Sequence, residues 1–197
     1  MLTKTADKMT RHLINNGIIR SPDYDIYRYG FETFFAMSAN AITALIIGFT
    51  LRMPFEAILF LAAFIPLRSY IGGFHSKNHV RCFCLSAAAV VTVLFAANFV
   101  LSQYNVPAII VIAGVCAIIM FFLVPVEDKN HPLDKFEKRV FARRARTIIV
   151  IELIALTISM AIGLRVVAVI IFCTLFLAFI SSCAGVLKNF INSTFSK

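Results

Sequence analysis

Six long apolar runs alternate with short polar segments along this chain, and that alternation limits what it can fold into. The runs cover residues 34–51, 53–67, 82–101, 106–126, 147–164 and 166–187. A helix rises 1.5 Å per residue, so about 20 apolar residues cross the hydrocarbon layer of a bilayer. Four of the runs have about that length. The first reaches it if its helix starts near Ser21-Pro22, a favourable N-cap and first-turn pair. The second, 53–67, is shorter and holds Pro54, Glu56 and Pro66. It reads either as a tilted span or as a re-entrant segment buried in protein. Composition agrees, since 60% of the 197 residues are hydrophobic against about 45–50% in soluble domains. The expectation is an all-α integral membrane protein, a single polytopic domain over 1–197, with six hydrophobic segments. The 20 Phe residues, in a chain without Trp, read as lipid-facing.

Charge sets the orientation. With a cytoplasmic N-terminus, the inner segments 1–33, 68–81, 127–146 and 188–197 hold 5, 3, 7 and 2 of the 19 Lys and Arg residues. The outer turns hold only Arg52 and Arg165. This is a strong positive-inside asymmetry, and it predicts that both termini are cytoplasmic. The net charge of +9 is then a topology signal. No arginine-rich patch interleaved with aromatics lies outside the apolar runs, so no nucleic-acid partner is expected. In residues 1–19, Leu2, Ala6, Met9, Leu13 and Ile14 recur at helical spacing, with Lys4, Lys8 and Arg11 elsewhere. That pattern predicts a short amphipathic helix on the inner leaflet, within a cytoplasmic arm over 1–33. The arm lacks the apolar centre of a cleavable signal peptide.

Chemistry concentrates between the second and third runs. The stretch Arg68-Ser69-Tyr70-Ile71-Gly72-Gly73-Phe74-His75-Ser76-Lys77-Asn78-His79-Val80-Arg81-Cys82 brings two histidines to a cysteine at a membrane edge. Cys116, Cys173 and Cys183 lie inside apolar runs and read as small apolar residues. Cys82 and Cys84 instead open a run just after a polar loop. Thiolate attack needs a base or a lowered pKa, because a free cysteine near pKa 8.5 is mostly protonated at neutral pH. At 100° per residue, His75 falls at about 700° from Cys82 and nearly on its face, whereas Cys84 falls nearly opposite His75, at about 900°. Seven helical residues are about 10.5 Å, too long for a hydrogen bond. His79 is the nearer helical neighbour, while Gly72-Gly73 permits a fold-back of His75. Spacing alone does not choose between the two histidines.

Other readings use the same residues. His75, His79 and Cys82 stand at i, i+4 and i+7, a spacing that can hold zinc with an open position. A solvated basic loop with an incidental cysteine also fits. A small transporter or metal-binding membrane protein is the rival class, motivated by this trio and by the intramembrane carboxylates Glu56 and Glu152, which are expected to face a bundle interior.

The motif Arg68-x-Tyr70-x-Gly72-Gly73-x-His75, followed by Cys82, is joined downstream by Pro125-x-Glu127-Asp128-x-Asn130-x-Pro132-Leu133, then Glu137 and a basic run. Together they resemble the signature of the accessory gene regulator protein B (AgrB) family, membrane cysteine endopeptidases that process peptide pheromone precursors. The resemblance covers most of the chain. It implies that Cys82 is the nucleophile and His75 its base, with His79 a neighbour, and that 68–81 is the catalytic loop. It further implies cleavage of an AgrD-like precursor peptide through an acyl-enzyme thioester, closure of a thiolactone or lactone ring, and a homodimer in the lipid bilayer. It calls for no cofactor and no metal. Arg68, Gly72 and Gly73 are expected to shape the loop or bind substrate, with Gly-Gly amides available to an oxyanion. Glu127 and Asp128 are expected either to orient His75 or to cap a helix start. In the cytoplasmic segment 127–146, the basic run from Lys135 to Arg146 reads as a topology anchor at anionic lipid, or as an attractor for an acidic precursor tail.

Overall fold

The computed structural model describes residues 2–72, 79–126 and 134–194, and the described chain is helical. It divides into two units, residues 1–44 and 45–197. The first holds α1 (Leu2–Asn15), a 3-10 turn (Ser21–Asp23) and most of α2 (Tyr24–Thr50). The second holds the end of α2, then α3 (Pro54–Ile71), α4 (His79–Ser102), α5 (Val106–Leu123), α6 (Lys135–Ala161) and α7 (Arg165–Thr194).

Helix ends follow local chemistry. Pro22 sits in the short turn that leads into α2, and Pro54 opens α3, where a missing N–H costs nothing. Asn105 caps α5 by accepting the Ala108 N–H at 3.2 Å. At α6 the Glu137 carboxylate reaches back and accepts the Asp134 N–H at 3.1 Å. The turn between α2 and α3 places Arg52 at φ 58, a left-handed residue that reverses the chain within three positions.

Among the described residues, five helical segments are long and apolar enough to cross a membrane: Ser21–Thr50, Pro54–Ile71, Phe83–Ser102, Val106–Leu123 and Arg165–Ile191. The second apolar run is therefore one continuous helix of 18 residues, with Pro66 inside it. α6 is divided differently. Its first half carries Lys135, Lys138, Arg139, Arg143, Arg144 and Arg146, and its second half is apolar.

In the second unit α7 is the axis, packing against α3, α4, α5 and α6. The whole stretch from Ala168 to Leu175 is buried, as a helix surrounded on every side requires. Its neighbours each bury one stripe. α3 buries Ala57, Phe60, Leu67 and Ile71; α5 buries Ile109, Ala113, Cys116, Ala117 and Met120. Alanine recurs at these contacts (Ala57, Ala97, Ala113, Ala117, Ala145, Ala168 and Ala178 are all buried). Between lipid-facing helices, close backbone approach and dispersion replace the hydrophobic drive of water, and small residues permit that approach. Large apolar side chains point outward instead, Phe95, Phe99 and Phe122 among them. The buried stripe of α6 reads Ala145, Ile149, Glu152, Leu156 and Ser159. Glu152 is 6% exposed, and neither carboxylate oxygen meets a hydrogen-bond partner among the described residues. It faces the interior, as the sequence reading of an intramembrane carboxylate expects. Glu56 lies in the first turn of α3, where the helix dipole favours a negative charge.

Candidate functional site

The site is built where α3 ends. Arg68 lies in the last turn of α3, and its guanidinium donates a hydrogen bond to the carbonyl of Gly72, the C-cap residue. A cation at this position satisfies a carbonyl that the helix leaves unpaired and opposes the negative end of its dipole. Gly72 itself sits at φ 76, ψ −141, a region that side chains rarely enter. A Cβ there would run into the backbone carbonyl of Val126. The reason is a backbone bridge: Gly72 pairs in parallel with Val126, and the Val126 N–H donates to the Ile71 carbonyl at 2.9 Å. Leu67, Ile71, Val124 and Val126 are buried around this junction. The end of the Arg68-to-Gly72 motif and the start of the Pro125 motif are thus joined directly, although they are remote in sequence.

α6 braces the same junction. Arg144 Nη1 donates to Tyr70 Oη at 3.0 Å, and its guanidinium lies 5.3 Å from that ring's centroid. Phe141 packs edge-on to Tyr70 at 5.6 Å. Arg146 Nε donates to the Phe121 carbonyl in the last turn of α5 at 3.0 Å and lies 4.9 Å from the Phe121 ring. The cationic half of α6 therefore closes the ends of α3 and α5 together.

Cys82 lies in the first turn of α4, and His79 is the first residue of that helix. Unpaired amide N–H groups and the positive end of the helix dipole are found at such a position. Cys84, two residues on, has an exposed and free thiol. Cys116 and Cys173 are buried in the bundle. Gly73, His75, Glu127 and Asp128 lie outside the described residues, so among the expected site residues the described ones are Arg68, Gly72 and the backbone of Cys82. Among the described residues no trio of His, Cys, Asp or Glu side chains converges as a metal site; His75, one member of the zinc alternative, lies outside them.

Three participants were not visible in the sequence as site residues. Tyr70 belongs to the motif but carries no chemistry of its own, and its signal is the hydroxyl that Arg144 engages. Arg144 and Arg146 are hidden in a run of cations, and only the geometry separates them from their neighbours.

A bundle of apolar helices, with the end of α3 at Gly72 bridged to Val126 and braced by the cationic half of α6, is that of a multi-pass membrane protein. The chain belongs to the accessory gene regulator B family, whose sequence profile matches residues 6–182. It is similar to an AgrB-like protein of Clostridium perfringens strain 13, with 27% identity over 58% of this chain and 56% of that protein. An AgrB-like protein of Clostridium perfringens strain SM101 is 27% identical over 64% of each chain. One of Clostridium acetobutylicum is 27% identical over 67% of this chain and 63% of its own length. The chain thus spans a little over half to just under two thirds of the curated relatives it matches. No solved structure matches it.

Proposed function

We propose that this protein is a membrane-embedded cysteine endopeptidase that cleaves the peptide precursor of a quorum-sensing signal, with Cys82 as nucleophile and His75 as base. The observation that carries this reading is the bridge from Ile71 and Gly72 to Val126. It supports treating the His75 loop and the Glu127-Asp128 loop as one site, because the segments that lead into both are hydrogen-bonded to each other. The first-turn position of Cys82 adds support, since the positive end of a helix dipole favours an anion.

The chemistry runs in two balanced steps. His75 takes the Cys82 proton, and the thiolate attacks the scissile carbonyl. The C–N bond breaks, His75 returns the proton to the leaving amine, and the acyl group remains on Cys82 as a thioester. A cysteine or serine within the acyl fragment then attacks that thioester. The S–H or O–H proton passes to His75, the ring closes as a thiolactone or lactone, and Cys82 leaves as a thiolate, which that proton restores to the thiol. Passing the acyl group from thiol to thiol changes free energy little, so the uphill part of the sequence, amide to thioester, falls on the first step. In this reading Gly72 and Gly73 offer amide N–H groups to the oxyanion, Arg68 shapes the loop, and Glu127 or Asp128 orients His75. The substrate is an AgrD-like precursor met at the inner leaflet, by a homodimer with six spans, both termini and the active site cytoplasmic. The reducing cytosol keeps the thiol free.

Co-expression with the cognate precursor tests the assignment. Cys82→Ala and His75→Ala each abolish cleavage while the protein stays in the membrane, and Cys84→Ala cleaves normally. Full cleavage by the Cys82→Ala protein sinks the proposal; activity lost to a chelator and restored by zinc would favour a metal site instead.

A further inference from the structure

On α6, Arg139, Arg143 and Arg146 follow at spacings of four and three, which places them on one stripe of the helix. They form the cationic end of a surface groove of roughly 560 Å³, whose other walls include Phe121, Thr147, Val150 and Ile151. That volume falls in the usual range of ligand sites. The three arginines are not equivalent. Arg146 is held by the Phe121 carbonyl and ring. Arg139 and Arg143 make no side-chain hydrogen bond or ion pair with any described residue. The acidic residues of α6 do not neutralise them: the Glu137 carboxylate is engaged by the Asp134 N–H, and Glu152 lies on the buried stripe.

The shape of the groove chooses the ligand. It passes from the charged half of α6 into the apolar half, where Val150 and Ile151 are exposed. From Arg143 to Ile151 the axial rise is about 12 Å. A fitting ligand carries an anion at one end and hydrocarbon directly below it, aligned with the helix. An acidic peptide would satisfy the guanidinium groups but has no need of an exposed aliphatic floor that continues the membrane-facing surface. A phospholipid needs both parts.

We propose that this groove is a binding site for one anionic phospholipid, with the headgroup phosphate between Arg139 and Arg143 and an acyl chain along Phe121, Val150 and Ile151. The bidentate fork of arginine suits phosphate oxygens, and cationic pockets at the membrane edge recruit anionic headgroups. The site stands apart from the proposed peptidase chemistry, and its test needs no substrate.

The test is native mass spectrometry of the full-length protein in detergent, titrated with dioleoylphosphatidylglycerol and, separately, with dioleoylphosphatidylcholine. The wild type should take up phosphatidylglycerol saturably and in preference to phosphatidylcholine. The R139Q/R143Q variant should bind phosphatidylglycerol about thirtyfold more weakly, with phosphatidylcholine uptake unchanged. The R139K/R143K variant keeps the charge and should retain most of the binding. Ile151→Asn leaves both arginines in place and should also weaken phosphatidylglycerol, by about threefold or more, if the acyl chain lies on that floor. Inorganic phosphate should not displace the lipid. Wild-type binding by both R139Q/R143Q and Ile151→Asn would overturn the proposal. So would a glutamate-rich peptide that binds as tightly as the lipid and displaces it, since the groove would then be a peptide site.

Discussion

Gly72→Ala is the sharpest probe of the junction. The new methyl would stand at φ 76, ψ −141 and meet the Val126 carbonyl. The backbone region alone costs about 1–3 kcal/mol for a residue with a Cβ. The obstacle is backbone rather than a flexible side chain, so the collision is relieved only if the bridge opens. Opening it gives up the 2.9 Å bond from the Val126 N–H to the Ile71 carbonyl, which favours the closed state in both variants by about 1 kcal/mol. The strain of about 1–3 kcal/mol therefore lowers the closed-to-open ratio by about 5-fold to 150-fold. Two measurements follow it. Amide exchange at Val126 should accelerate by that factor, and precursor cleavage should fall in parallel. Gly17→Ala is the control, because Gly17 has φ 69 with open space where its Cβ would stand. It carries backbone strain without a collision, and it should leave both the Val126 amide and cleavage unchanged. Unchanged Val126 exchange in Gly72→Ala would refute the geometric argument. Fast exchange with intact cleavage would keep the geometry and refute its link to function.

Other perturbations address single contacts. Arg144→Ala removes the Tyr70 hydrogen bond and the cation–π contact, worth about 1 kcal/mol together at an exposed site; thermal unfolding in detergent should show a fall of about 2–4 °C, and Tyr70→Phe, which keeps the ring, about half of it. In the first unit, Asp7 accepts hydrogen bonds from Tyr24 Oη and from Arg11 Nε, and these hold its carboxyl below the usual carboxylate range. A depressed folded pKa stabilises above the unfolded value and is lost as pH falls through the folded one. Amide protection across α1, corrected for the intrinsic pH dependence of exchange, should therefore be constant from neutral pH to about pH 5 and fall below about pH 4, whereas Asp7→Asn should be less protected throughout. For topology, a cysteine replacing the exposed Gln103, between α4 and α5, should react with a membrane-impermeant maleimide on intact cells. Cys82, kept as the single cysteine, should react only after the cells are opened; the reverse pattern overturns the orientation.

Much of the bundle is legible in the sequence because helix formation in a bilayer is a one-dimensional problem. Every backbone group must be paired inside its own segment, so apolar length reports the element directly. The run 106–126 becomes Val106–Leu123, and 166–187 becomes Arg165–Thr194. Boundaries drift where polar residues join the helix. α2 starts ten residues before its apolar run, at Tyr24, and α6 starts at Lys135, within the segment 127–146 read as a cytoplasmic loop. Hydropathy does not register a charged helical turn, although the Asp134 and Glu137 spacing is a start signal that periodicity alone passes over. The site is less legible. Its residues can be picked out as a thiol, two imidazoles and a Gly-Gly turn, but the Gly72–Val126 bridge leaves no trace in either local segment. Backbone pairing between two turns depends on how the helices before them pack, which no local pattern encodes.

The cations from Lys135 to Arg146 show what a topology rule compresses. Counted by charge, they are equivalent, and all of them favour one side of the membrane. Placed on α6, they separate by direction. Arg144 points to the end of α3 and meets Tyr70; Arg146 points to the end of α5 and meets the Phe121 carbonyl. Arg146 thereby satisfies a carbonyl that the end of α5 leaves unpaired, while Arg144 braces the end of α3 through the Tyr70 side chain. Arg139 and Arg143 point to the groove and face no carbonyl terminus, which leaves their charge for a ligand from outside the chain. One charge run thus serves three ends. In the proposed topology it orients the protein; it ties α3 and α5 together beside the proposed catalytic loop; and in the proposed lipid site it offers a headgroup two guanidinium groups that have no partner among the described residues. The helical repeat sets Arg144 apart from the stripe of Arg139, Arg143 and Arg146, because residues three and four apart share a face while adjacent residues do not.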